Sequence, residues 1–143
     1  MRILSLDVGD SRIGVAVSDP LGVTARGLFV YERSNIKADI RKMIDTISEN
    51  ECSSVVVGLP LNLSGEDSVQ TGKVRAFAER LENTLRSNAM QNVVVILYDE
   101  RFSTKIAEDA MREAGAGKGS IREKIDMRAA EVILQGYLES HRT

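Results

Sequence analysis

Cysteine is almost missing from this sequence: Cys52 stands alone in 143 residues, so no internal disulfide is available. That usage fits a reducing compartment, and Cys52, just ahead of an apolar run and without partners for a thiol triad, reads as packing. Aromatic residues make up only 4%, too few for a base-stacking platform of the single-strand-binding type. No apolar run approaches the roughly 20 residues that a membrane span needs; a run such as Val93 to Tyr98 stops far short. No charged-then-apolar leader with a small-residue cleavage site precedes the first strand pattern, which points to the cytoplasm. His141, the one histidine, lies beside the C-terminus without a cysteine cluster to join, which makes it a tail residue rather than a zinc ligand. Neither sign of charge dominates: the net charge is −2. That balance argues against a general polyelectrolyte binder but leaves room for a local basic surface. P-loop and Rossmann fingerprints are absent too.

What remains is a chain 43% hydrophobic and 28% charged, the profile of one globular domain over 1–143. A domain of this size buries roughly 70% of the surface its unfolded chain exposes, so it needs no staple.

The N-terminal third alternates at strand period over Ile3–Val8, Ile13–Ser18 and Val23–Tyr31. The turns Gly9-Asp10-Ser11-Arg12 and Asp19-Pro20-Leu21-Gly22 separate these runs and predict an antiparallel meander. From Ser34 the period becomes helical: Ile36, Ile40, Met43, Ile44 and Ile47 share a face, with Lys37, Asp39, Arg41 and Glu49 largely opposite. Ser54–Leu59 is apolar on both faces, as a central strand is. A second helix carries Val74, Phe77, Ala78, Leu81 and Leu85, and Val93–Tyr98 predicts a second buried strand. Ser103 or Thr104 caps a third helix with Ile106, Ala107, Ala110, Met111 and Ala114 on one face, ending near Gly115. Gly115 to Gly119 reads as a flexible loop. Ser120 and Glu123 have capping-box spacing, opening a last helix to about Ser140. The order βββαβαβα, with one helix divided, predicts an α/β fold: a mixed five-stranded sheet with helices on both faces.

Three acidic regions stand out against this frame. Asp7 interrupts the strand run Leu4-Ser5-Leu6-Asp7-Val8, where burial is costly unless donors or a cation compensate. It serves either a metal or the Gly9–Ser11 turn as a cap. Asp99 and Glu100 end the last strand, at the edge where open α/β sheets place their ligands, and adjacent residues there point to opposite faces. Spacing alone does not choose between them. Asp126 opens a stripe with Ala129, Ala130, Ile133 and Tyr137, where an acid needs a buried partner, an ion or the helix N-terminal dipole. Three such acids suit hard, oxygen-ligated Mg²⁺ or Mn²⁺, and two ions would clamp both oxygens of an in-line phosphodiester cut. The segment Gly58 to Gly65 offers backbone N–H groups, Asn62 and Ser64 to a phosphate or base. Lys105, Lys118, Arg122, Lys124 and Arg128, with Arg12, supply positive charge around the acids.

Taken together, four segments resemble the YqgF/RuvX family over almost the whole chain. They are Asp7-Val-Gly9-Asp-Ser-Arg12-Ile-Gly14-Val-Ala16, Val56-Val-Gly58-Leu-Pro60-Leu-Asn62, Asp99-Glu100-Arg101-Phe-Ser103-Thr104 and Lys124-Ile-Asp126-Met-Arg-Ala129-Ala130-Glu-Val-Ile133-Leu134. The resemblance implies an RNase H-like fold related to RuvC resolvases, and a cytoplasmic bacterial nuclease that matures the 5′ end of precursor 16S ribosomal RNA. It also implies that Asp7, Glu100 and Asp126 are the catalytic, metal-binding carboxylates and that Arg101 contacts phosphate or orients the site. Arg12, Asn62, Ser103, Thr104, Lys105 and Lys118 complete the expected substrate contacts. One departure is visible: the strand ending Gly58-Leu59-Pro60 lacks the acid of four-carboxylate RNase H-like nucleases.

The leading expectation is therefore a Mg²⁺- or Mn²⁺-dependent phosphodiesterase acting on structured precursor rRNA, with ribosomal precursor particles as its setting and a monomer or homodimer as its form. A Holliday junction resolvase would apply the same chemistry to branched DNA and requires a dimer. Asp-x-Gly near a first hairpin also looks like the phosphate turn of the actin and sugar-kinase superfamily, but those proteins close two such domains around a nucleotide. A non-catalytic nucleic-acid-binding module is the remaining class, separable by metal titration.

Overall fold

A computed structural model of the chain describes residues 1–100 and 121–141, with side chains over 1–100 and 127–141. Its strands are β1 (Arg2–Val8), β2 (Arg12–Ser18), β3 (Ala25–Glu32), β4 (Cys52–Leu59) and β5 (Val94–Asp99). Its helices, among the described residues, are α1 (Ile36–Glu49), α2 (Val69–Ser87) and α3 (Ile121–Ser140). The strands form one sheet in the order β3-β2-β1-β4-β5. β1, β2 and β3 pair antiparallel, while β4 lies parallel to both β1 and β5. The mixed five-stranded sheet expected from the strand and helix periods is what forms.

Strand alternation distributes the core over two faces. Leu4, Leu6, Val8, Ile13, Val15, Val17, Val55, Val57 and Leu59 meet α1 and α2 through Ile40, Met43, Ile44, Ile47, Phe77 and Leu81. The opposite face, with Ala16 and Ile3, packs against Ala130, Leu134 and Leu138 of α3. Small residues let α3 lie close: buried Ser5 donates its Oγ proton to Ala130 O at 2.7 Å. At Gly27 a Cβ would run into Met127, and the Gly27 N–H instead donates to Glu131 Oε1 at 2.6 Å.

Caps fix the helix starts. Asn35 accepts from the Ala38 N–H to open α1, and Ser68 with Thr71 forms a capping box at α2. Cys52 is buried and its thiol is pushed up to about 11 by burial, in keeping with a packing role. No helix among the described residues is long and apolar enough to cross a membrane.

Three expectations need correction. The third strand begins at Ala25 rather than Val23, because Asp19 Oδ1 accepts from the N–H groups of Val23 and Thr24 and holds them in the turn. β5 is an edge strand rather than a buried one, with Val94 55% and Leu97 40% exposed. Asp39, grouped with the polar side of α1, is buried, because Arg33 reaches it from the loop after β3. The expected helix from Ser103 or Thr104, the Gly115–Gly119 loop and the Ser120 cap lie outside the described residues.

Candidate active site

Asp7 sits near the C-terminal end of β1, half-buried, with alternation placing it on the α3 face alongside Ser5. Its neighbours across the sheet are small: Gly14 pairs with it on β2, and Gly58 is the next position along β4 after the Leu6–Val57 pair.

Glu100 reaches the same place from β5. The Gly58–Tyr98 and Leu59–Asp99 pairs carry the register to the end of β4, and the Glu100 N–H donates to Leu59 O at 3.3 Å. Tyr98 meets Tyr137 of α3 edge-on, with ring centroids 6.1 Å apart. Glu100 shares the parity of Tyr98, and its carboxylate fills the space that a Cβ at Gly58 would occupy, beside Ile133 of α3. Asp99 has the opposite parity. Glu100, not Asp99, therefore lies on the face that carries Asp7.

The neighbouring acids act on Glu100. Burial, then the negative charges of Asp7 and Asp99, push the Glu100 carboxyl from 4.5 up to about 8. A carboxylic acid that holds its proton to that pH beside a second carboxylate is a place where a cation is favoured. The donors are all hard oxygens, and Cys52 lies at the far end of β4, so the site fits a divalent ion of the Mg²⁺ or Mn²⁺ type. Asp126 is in α3, one turn before buried Ala129 and Ala130, and its side chain lies outside the described residues. Among the described residues no group of three metal-ligating side chains forms. Asp7 and Glu100 are the two that come together.

The turn after Asp7 is held from behind by Arg33, which the sequence patterns did not single out. Gly9 N–H donates to Arg12 O at 2.8 Å, Arg33 N–H donates to Ser11 O at 2.9 Å, and Arg33 Nη1 donates to Gly9 O at 2.8 Å. Arg33 Nε meanwhile donates to Asp39 Oδ2 at 2.9 Å, and its guanidinium lies 5.3 Å from the centroid of the Phe77 ring. Burial works to raise the Asp39 carboxyl, but bonds from Arg33, the Ser34 N–H and Tyr31 together hold it below its ordinary value. The only trace of this in the sequence is an Arg and an Asp six positions apart across a helix start.

The expected substrate contacts are partly placed. Arg12 lies on β2, its Nε 3.7 Å from Glu32 Oε1. Asn62 is exposed in the loop after β4, where its N–H is spent on Glu66 O and its carbonyl accepts from Gly65 N–H. Arg128 pairs within its own helix with Glu131 at 2.7 Å. Arg101, Ser103, Thr104, Lys105 and Lys118 lie outside the described residues, as do the side chains of Arg122 and Lys124.

Known proteins share both the sequence and the fold. A Myxococcus xanthus protein named "Putative pre-16S rRNA nuclease" is 43% identical over 142 residues, covering 99% of this chain and 90% of that protein. A protein of the same name from Desulforamulus reducens is 43% identical over 140 residues, covering 98% of each. Among solved structures, T. thermophilus RuvC in complex with Holliday junction substrate matches with a TM-score of 0.61 at 17% identity, over 98% of this chain and 94% of that one. The Fowlpox virus resolvase bound to junction DNA matches with a TM-score of 0.62 at 14% identity, over the whole of both chains. These structural likenesses establish the RNase H-like fold of the resolvases. The family model described as "RuvX: Holliday junction resolvase" matches residues 1–140, and the chain belongs to that family of nucleases, hydrolases of phosphodiester bonds.

Proposed function

We propose that this protein is a divalent-metal-dependent nuclease that trims precursor 16S rRNA in the cytoplasm, with Asp7, Glu100 and Asp126 as its metal-holding carboxylates. The observation that carries the reading is the placement of Glu100 in the space over Gly58, on the face that carries Asp7, where burial and then the Asp7 charge push it up to about 8. The names of the relatives support the RNA substrate.

A bound Mg²⁺ or Mn²⁺ would supply charge to the phosphodiester in its transition state and lower the pKa of water in the site. The protein's own part is positioning. Gly58 makes room for the Glu100 carboxylate on the face that carries Asp7, and the Arg33-held turn fixes the strand end from which Asp7 projects. In the metal-free protein Glu100 keeps its proton at neutral pH, so ion loading requires that proton to leave. Arg12, at the start of β2 on the same face, and exposed Asn62 would meet substrate phosphates, with Arg101, Ser103, Thr104, Lys105 and Lys118 joining them from the neighbouring segment.

A second reading, resolution of branched DNA, is favoured by the family model's description. One assay separates them: cleavage of a precursor 16S rRNA fragment and of a four-way DNA junction, each with Mg²⁺ or Mn²⁺. Faster cleavage of the RNA is the expected result, and cleavage of the junction alone would replace the RNA reading.

A further inference from the structure

The molecule carries a second feature at the end of β1, on the side away from Asp7. Beyond the β1–β2 turn a groove runs between α1 and α2. Its first part, about 690 Å³, starts at Val8 and Asp10 and passes Gln70 and Lys73 to Arg80. Its second part, about 720 Å³, continues from Asn35 and Arg80 past Lys37 and Arg41 to Thr84. Asn35 and Arg80 line both parts, so the two lie side by side.

Its charge runs against that of the chain. Among the described residues Arg33, Lys37, Arg41, Lys73 and Arg80 line it, with Asp10 and Asp39 as the carboxylates, in a protein of net charge −2. Arg33 is committed to buried Asp39, Lys73 to Asp10 at 3.2 Å and Arg41 to Asp45 at 3.9 Å, so among the described residues the free positive charge of the groove is that of Lys37 and Arg80. Exposed Lys37 and Arg80 make no ion pair among the described residues, and Asn35, which caps α1, lines the groove with them. Side chains of this kind, spread along a groove, suit an extended polyanion better than a single small ligand. Among the described residues the only ring in the lining is Phe77, which is buried beneath Arg33, so these residues offer backbone contacts rather than a stacking surface.

We propose that this groove holds the phosphodiester backbone of the RNA segment flanking the cut, on the opposite side of the β1–β2 turn from Asp7. The inference rests on the nuclease reading and adds to it a second contact surface, independent of the carboxylates. It makes substrate length, rather than base sequence, the property recognised there.

The test uses the full chain, its Lys37→Gln/Arg80→Gln double variant and an Arg86→Gln control; Arg86 is a cation of α2 outside the groove. Binding of fluorescent precursor 16S rRNA is titrated in EDTA across a salt series, and hydrolysis of RNA and of bis(p-nitrophenyl) phosphate is followed with Mn²⁺. In the double variant the slope of log affinity against log salt is expected to fall by about 1.4, at about 0.7 for each lost phosphate contact to a single strand. The RNA KM should rise roughly three- to tenfold, while hydrolysis of the small diester and the melting temperature stay unchanged. RNA affinity and salt slope equal to those of the unaltered protein would overturn the groove. If the unaltered protein hydrolyses neither substrate, the nuclease reading fails instead, and the binding series in EDTA still decides whether the groove holds RNA.

Discussion

The carboxylate of Glu100 occupies the space that a side chain at Gly58 would need. The missing acid at the end of β4 and the presence of Glu100 at the end of β5 are thus two sides of one arrangement: the strand without a carboxylate makes room for its neighbour's.

Gly58→Ala is therefore predicted to push Glu100 away from Asp7. The overpacking should cost about 1–3 kcal/mol of stability, and cleavage should fall by about 10² or more because the acid is misplaced. Denaturant unfolding and single-turnover cleavage of the same variant check both. Normal cleavage in Gly58→Ala would mean that Glu100 does not act from this position.

The raised Glu100 carboxyl sets a pH dependence. Its folded value of about 8 lies above the ordinary 4.5, so its contribution to metal-free stability is complete below 4.5 and is lost as pH rises through 8. Melting in EDTA should show the unaltered protein losing stability between pH 6 and pH 9 relative to Glu100→Gln, by on the order of 5 °C. Parallel curves for the two proteins would contradict the raised value.

Arg33 and Asp39 carry the opposite sign. Asp39 is held below its ordinary value, so its contribution is present above about pH 4 and is lost as the pH falls through its folded value. Removing either partner leaves a charge in a buried setting: Arg33→Ala and Asp39→Ala should each cost about 3 kcal/mol, and the double variant clearly less than their sum. Additive losses in a double-mutant cycle would deny the coupling.

These positions also mark where sequence reading succeeded and where it stopped. Strand and helix periods carried the sheet and its two covered faces, because Leu4, Leu6 and Val8 against Ser5 and Asp7 is a period-two signal that burial enforces. Parity limited the strand end to one acid aimed at the site, the family resemblance favoured Glu100, and the register places Glu100 on the face that carries Asp7. The edge position of β5 was hidden, since Val94 and Leu97 look like core residues until strand order is known. Arg33 and Asp39 were hidden for another reason: a buried ion pair formed across a loop leaves no periodicity. Asp126 was legible as an acid on an apolar stripe, and its role as a metal ligand came from the family resemblance.

The most direct test of the metal-centred account is made on Asp7→Asn. Clustered carboxylates repel without a metal, so the substitution should leave folding intact or slightly improved while removing an ionised ligand. Cleavage of a precursor 16S rRNA fragment in Mn²⁺, with EDTA and Asp126→Asn as controls against contaminating nuclease, should fall by about 10³ or more at an unchanged melting temperature. Full cleavage by Asp7→Asn, with Asp126→Asn inactive, would contradict the account.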